Sequence, residues 1–90
     1  MTIIVAGKLL IKSGRRDEFI EKSCEAIMLA RTHDACEDFS VSPDPLDLNR
    51  VNIFEKWESR SALVEFRESG PETDIFSLVE SFDVKEYELS

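Results

Sequence analysis

Histidine is almost missing from this 90-residue chain, and cysteine is scarce: His33 stands alone, with Cys24 and Cys36 as the only thiols. Neither the Cys/His spacing of a zinc site nor a disulfide framework can be built from them. The glycines, Gly7, Gly14 and Gly70, are isolated, so there is no phosphate-cradling loop, and no Ser-His-Asp order can be assembled. Basic residues are also few, eleven against nineteen acidic, for a formal charge of −8. No basic face results, which argues against nucleic acid and anionic membrane as partners. Long apolar runs are absent too. The N-terminal stretch Met1–Gly7 has no charged leader region and is soon followed by Lys8 and Lys12, so neither a signal peptide nor a membrane span fits. A cytoplasmic location with reduced, buried cysteines is the expectation.

What is present is a globular composition, 42% apolar and 33% charged, at a length suited to one domain spanning residues 1–90. A chain of this size buries roughly 60–65% of its unfolded surface and gains from a partner subunit. Ile3 to Ile11 is apolar almost throughout, the pattern of a central strand covered on both faces. Ser13 is placed to cap a helix whose first turn carries Asp17 and Glu18. Ile20, Cys24, Ile27 and Arg31 share one side of that helix, widened by Phe19 and Met28, and Arg31 and His33 fall in its last turn.

Cys36 to Ser42 alternates Phe39 and Val41 against Asp38 and Ser40, as an edge strand does. Pro43 and Pro45 bracket a turn-rich connection. Arg50 to Trp57 sets Val51, Ile53 and Trp57 on one face and Phe54 on the other, which makes it a second central strand. Ser59 can cap a short helix bearing Ala62, Leu63 and Phe66 and ended by Gly70. Pro71 to Leu78 reads as a further helical piece burying Ile75 and Phe76, and Ser81 to Leu89 as the last strand.

The order β-α-β-β-α-β is the ferredoxin-like split βαβ arrangement, an α+β fold with a four-stranded antiparallel sheet and helices on one face. The other face of its two central strands is still apolar. A second copy packed sheet to sheet would cover it, so a homodimer is expected.

The segment Glu55-x-Trp57-Glu58-Ser59-x-x-Ala62-Leu63 is the most specific signature in the chain. With Ser13-Gly14-Arg15-Arg16-Asp17-Glu18-Phe19, Arg31, Asp34-Ala35-Cys36, Phe39 and Ser42-Pro43-Asp44-Pro45, it resembles the antibiotic biosynthesis monooxygenase domain over nearly the whole chain. That resemblance implies a dimeric α+β barrel. It also implies a cofactor-free oxygenation in which a pocket stabilises a substrate anion and lets it meet O2. The expected substrate is an electron-rich aromatic, a hydroquinone or an anthrone. Departures are specific. Many members place histidine where Phe66 stands and again near Pro71 and Glu72, and Asp34-Ala35 replaces a Pro-Gly pair.

Four residues are the candidates for chemistry. Trp57 can wall a pocket and stack on a flat substrate, or be a core indole with its N–H satisfied. Asn52, on the opposite face of the strand, can hold a substrate oxygen or sit at the dimer seam. Glu55 shares a face with Ile53 and Trp57, where burial would raise its pKa and suit it to accept a proton; the alternative is an ion pair with Arg50 or with the partner subunit. His33 can act as a base or remain a solvated group at a helix end. Cys36 reads as a small buried hydrophobe, and the pairs Glu65/Glu68 and Glu86/Glu88 as solvated. Two functions fit: a cofactor-independent monooxygenase, or a small-molecule-binding or structural dimer that keeps the fold without turnover.

Overall fold

Thr2–Ile11 forms the first strand, β1, in which Ile3, Val5, Leu9 and Ile11 are buried. Ile4, Ala6, Lys8 and Leu10 between them are only half-buried. The run is apolar on both faces, yet within the chain only one face is fully covered. The computed structural model describes residues 1–69 and 75–89. After β1 come α1 (Arg16–Arg31), β2 (Cys36–Pro43), β3 (Arg50–Trp57) and α2 (Arg60–Ser69). A 3₁₀ turn, Phe76–Leu78, then leads into β4 (Val79–Leu89). The predicted helix end at Gly70 and the start at Pro71 lie outside the described residues, as does Glu72. The four strands pair antiparallel in the order β2-β3-β1-β4, the expected split βαβ sheet.

Register decides which residues share a face. Ile3 lies opposite Trp57, Val5 opposite Glu55, Gly7 opposite Ile53 and Leu9 opposite Val51 on β3. On β4 their partners are Glu88, Glu86, Val84 and Phe82. This face receives both helices. Ile3, Val5, Phe39 and Trp57 pack with Ala30 of α1 and with Ala62 and Leu63 of α2. Leu9, Ile11 and Val51 form a second cluster with Phe19 of α1 and with Leu78.

Gly7 sits where the two clusters part. Its φ of +154° and its packing are both particular: a Cβ there would overlap the carbonyl oxygen of Asp83 and come within 2.7 Å of Val84 Cα. Only glycine lets β4 approach β1 this closely.

Several local expectations shift by a residue or two. Helix α1 starts at Arg16 after an Arg15 cap that makes no side-chain capping bond, so Ser13 is not the cap. Ser13 and Gly14 instead form a turn, with Gly14 at φ +79°. The fully buried residues of α1 are Phe19, which the expected stripe included, with Ser23 and Ala30; Ile20 and Ile27 of that stripe are partly buried against the two core clusters, whereas Arg31 is exposed. Cys24 and Met28 are exposed rather than buried. The helix ends at Arg31, so His33 lies just beyond it and donates its backbone N–H to Ala30 O at 3.0 Å. For α2 the expected cap is present: the Ala62 amide donates to Ser59 Oγ at 3.2 Å. Phe76 is exposed, and Leu78 takes the buried place predicted for it. Among the described residues no helix is long and apolar enough to cross a membrane.

Candidate functional site

Between the two core clusters, on the helix side of the sheet, lies a cavity of about 390 Å³. Its floor is Val5 and Leu9 from β1, Val41 from β2, Ile53 from β3 and Val84 from β4. Its roof is Phe19, Ser23 and Ala26 of α1, with Ile75, Phe76 and Phe82 towards one end. The gap follows from side-chain size. β1 offers no side chain at Gly7, and α1 brings only Ser23 and Ala26 over that point. Ser23 is buried, but its hydroxyl is spent on Phe19 O at 2.8 Å within the helix. Among the described residues the walls are therefore apolar apart from the Ser23 hydroxyl and three charged groups, Glu55, Arg67 and Glu86.

Glu55 and Trp57 are two apart on β3, so both side chains project to the helix face. Trp57 Nε1 donates to Glu55 Oε1 at 3.0 Å. The indole is completely buried and lies beside the cavity rather than on its wall, which Glu55 forms. It packs edge-on against His33, with centroids 5.6 Å apart, and at a tilt against Phe66, at 5.1 Å. Phe66 in turn meets Phe39 edge-on at 5.8 Å. Burial pushes the Glu55 carboxyl above the ordinary range. The Trp57 hydrogen bond and the charge of Arg67 pull it part of the way back, and Glu86 pushes it up again.

Arg67 and Glu86 join α2 to β4. Arg67 Nη1 lies 2.9 Å from Glu86 Oε2, and Arg60 Nη1 lies 2.7 Å from Glu86 Oε1. Arg60 Nη2 also reaches Glu88 Oε1 at 2.8 Å. The hydrogen bonds from Arg60 and Arg67 hold the Glu86 carboxyl below the usual value. The Glu86/Glu88 pair is thus engaged with α2 rather than simply solvated.

The four candidate residues do not converge. Glu55 lines the cavity, with Trp57 behind it. His33 reaches the far side of Trp57, where Nδ1 accepts the Ala35 amide at 3.1 Å and Nε2 lies 4.0 Å from Glu65. Asn52 is on the opposite face of the sheet. Its Oδ1 accepts from Arg50 Nε at 2.6 Å, and its Nδ2 donates to Asp44 Oδ1 at 3.1 Å. Asp44 also accepts the backbone amides of Asp47 and Leu46. The Asp47 amide, the Asn52 amide and the Leu46 amide together hold the Asp44 carboxyl down at about 2. Arg50 is occupied there, so it is not the partner of Glu55. The Cys36 thiol is half-buried and its pKa is raised by that burial. Among the described residues no group of three or more His, Cys, Asp or Glu side chains is placed to hold a metal ion.

Arg67 was not singled out by sequence reasoning, and Glu86 was read only as a solvated charge. Their signal was available in register: Glu86 follows Val84 at the two-residue period of β4, on the face of Phe82.

The sequence model for antibiotic biosynthesis monooxygenases matches residues 2–76. The chain belongs to that family. Its fold recurs in Rv0793 from Mycobacterium tuberculosis, with a TM-score of 0.85 at 19% identity, covering 100% of this chain and 96% of that one. A Nitrosomonas europaea protein bearing the family's name superposes with a TM-score of 0.84 at 13% identity, over 98% and 97% of the two chains. At these identities the likeness concerns the fold. An uncharacterized protein of Synechocystis sp. is 34% identical over 61 residues, 68% of this chain and 42% of that protein. The chain therefore spans less than half of that curated relative. In this antibiotic biosynthesis monooxygenase family member Phe66 packs on Trp57.

Proposed function

We propose that the chain is a cofactor-independent monooxygenase that oxidises a flat, electron-rich aromatic, a hydroquinone or an anthrone, in the cavity between sheet and helices. One observation carries the reading: a carboxylate with a raised pKa, Glu55, stands on the wall of a largely apolar cavity, with one oxygen fixed by the Trp57 indole and with Arg67 and Glu86 as the other charged groups of its lining. A carboxyl tuned upward by burial is a better proton acceptor than a solvated one. For an anthrone the balance is closed. Glu55 takes a proton from the ring CH2, and the resulting carbanion reduces O2. A carbon–oxygen bond then forms as a hydroperoxide, and loss of water leaves the ketone. Both electron pairs come from substrate C–H bonds, one oxygen atom ends in the product and the other in water, so no external reductant is required. The apolar walls keep the anion away from bulk water, where protonation would compete.

Oxygen uptake across a panel of anthrones and hydroquinones tests this. The expected result is one O2 consumed per anthrone, with Glu55→Gln slower by about 10²–10⁴-fold, the usual span for loss of a positioned base. Consumption no faster than in protein-free buffer would overturn it.

A second reading is favoured by Phe66. An aromatic core of Trp57, Phe66 and Phe39 suits a chain that binds a small molecule in this cavity without turning it over. Calorimetric binding of the same aromatics with no oxygen uptake would select it. In either case we propose a homodimer formed through the open sheet face, where Ile4, Phe54, Tyr87 and Leu89 remain uncovered by the helices.

A further inference from the structure

Glu86 holds two arginines at once, one on each carboxylate oxygen: Arg60 at 2.7 Å on Oε1 and Arg67 at 2.9 Å on Oε2. Only Arg67 of the two lines the cavity. Among the described residues its guanidinium is the sole cation that lines the cavity, and its side chain is 48% exposed, free to turn without breaking a packed core. Glu86 would not be stranded if Arg67 left it, because Arg60 keeps hold of Oε1. The usual penalty for breaking an ion pair, an uncompensated carboxylate, is therefore small here.

From this redundancy we infer that the ligand of the cavity is an aromatic carboxylate, whose anionic group takes Arg67 from Glu86 while its ring lies over Val5, Leu9 and Val84. The inference rests on the cavity being the binding site and names the class of compound that enters it. Guanidinium and carboxylate match as a two-point fork, which fixes the orientation of a flat ligand as well as its charge. The orientation sends the far end of the ring system into the cavity that Glu55 lines, where its dissociable proton would be. A hydroxyaryl carboxylate has both features. The chain's net charge of −8 opposes any anion at long range. Salt screens that field beyond about 8 Å, whereas a directed pair in contact with Arg67 survives it.

Isothermal titration calorimetry with naphthoate and its neutral counterpart, naphthylmethanol, tests the assignment on the intact protein. Wild type should bind naphthoate about 10- to 100-fold more tightly than the alcohol, the span of one charge-assisted pair. Arg67→Gln should abolish that preference by weakening naphthoate far more than the alcohol, and a near-UV circular dichroism spectrum like that of wild type certifies the fold of the variant. Glu86→Gln frees Arg67 from its present partner and should strengthen naphthoate alone. Equal affinities in wild type, a preference that survives Arg67→Gln, or no binding of either probe overturns the inference. Oxygen uptake is read separately. Its absence alongside an intact Arg67-dependent preference sinks the oxygenase reading and leaves this one standing, whereas uptake without that preference does the reverse.

Discussion

The Trp57 indole N–H donates to Glu55 Oε1 at 3.0 Å, between residues two apart on β3. Each satisfies the other. A fully buried indole would otherwise leave its donor without an acceptor, and a carboxylate on an apolar wall would lack one of the few contacts that favour its charged form. The pair joins the packed half of the molecule, where Trp57 lies against His33 and Phe66, to the open half, where Glu55 borders the cavity.

Removing the donor should therefore be visible at the acceptor. Trp57→Phe keeps an aromatic ring but deletes the N–H, and the hydrogen bond is the larger of two contacts, with the Arg67 charge, that hold the Glu55 pKa down against burial. The expected outcome is a Glu55 carboxyl titrating higher than in wild type, followed through its side-chain carbon by NMR. Stability should fall by about 2–4 kcal/mol from the smaller ring and the lost bond together. An unchanged or lower Glu55 pKa would refute the coupling.

Glu55→Gln keeps an acceptor for the indole and removes the charge. A carboxyl whose folded pKa is raised binds protons more tightly in the folded state. Its contribution to stability is full below the unfolded value and is lost as pH rises through the folded value. Wild type should thus be less stable than the glutamine variant near neutral pH, with the gap closing on acidification. Urea unfolding at a series of pH values checks this, and a glutamine variant that is the weaker protein at neutral pH would contradict it.

Architecture was largely legible, because it rests on periodicities that survive small errors. β3 runs from Arg50 to Trp57 as the alternation of Val51, Ile53 and Trp57 requires, and Ser59 caps α2 as its place before Ala62 and Leu63 suggests. Helix α1 was harder. Its apolar residues wrap most of the way round, so Phe19-Ser23-Ala30 and Ile20-Cys24-Ile27 compete as the buried stripe. Phe19, Ser23 and Ala30 face the sheet most directly, and Ile20 and Ile27 pack on the core from its flanks. The site was less legible still. Glu55 could be placed from its strand position, but Arg67 and Glu86 are 19 residues apart and meet only because β4 returns beside β1. Asn52 was separated from the cavity by the pleat itself.

Asp44 contributes to the acid side of the stability profile, as do Glu18 and Glu86, whose carboxyls are also held below the usual value. The Asp44 carboxyl falls from 3.8 to about 2 in the folded protein. A depressed pKa contributes stability that is full above the unfolded value and lost as pH falls through the folded one. Asp44→Asn should be less stable than wild type at neutral pH, and the difference should shrink steadily as pH falls from about 4 through about 2. Circular-dichroism melts at descending pH measure it, and a difference that stays constant across that window would count against the assignment.

Gly7→Ala should be damaging although the change is a single methyl group. The added carbon would strike the Asp83 carbonyl, which is β4 backbone and cannot rotate away. Either the β1–β4 ladder opens or the backbone at residue 7 shifts, and a loss of at least about 2 kcal/mol is expected by chemical denaturation. Gly14→Ala is the comparison, since its Cβ would meet nothing within 4 Å and only the positive φ opposes it, for about 1 kcal/mol. Similar losses at both positions would mean that close strand approach is not what Gly7 provides.

Phe54 tests how the open sheet face is used. It lies opposite Ala6 on β1 and Ser40 on β2, at the middle of the face turned away from α1 and α2. Tyr87 faces Ile4 from the other side, and Tyr87 and Leu89 are 51% and 47% exposed. Apolar side chains at the centre of a sheet face gain from a dry neighbour, and a second copy of the same face brings complementary ones by symmetry. A carboxylate placed there would be desolvated on association and would meet its own image across a two-fold axis. Phe54→Glu is therefore expected to convert a dimer into a folded monomer, seen as a halved mass in sedimentation equilibrium at low micromolar concentration. The helix-side core, Trp57 and Leu63 included, is on the other side of the sheet and should keep its packing, so Trp57 emission should stay that of a buried indole. A wild-type mass already monomeric at that concentration, or a glutamate variant that remains dimeric, would place the partner elsewhere.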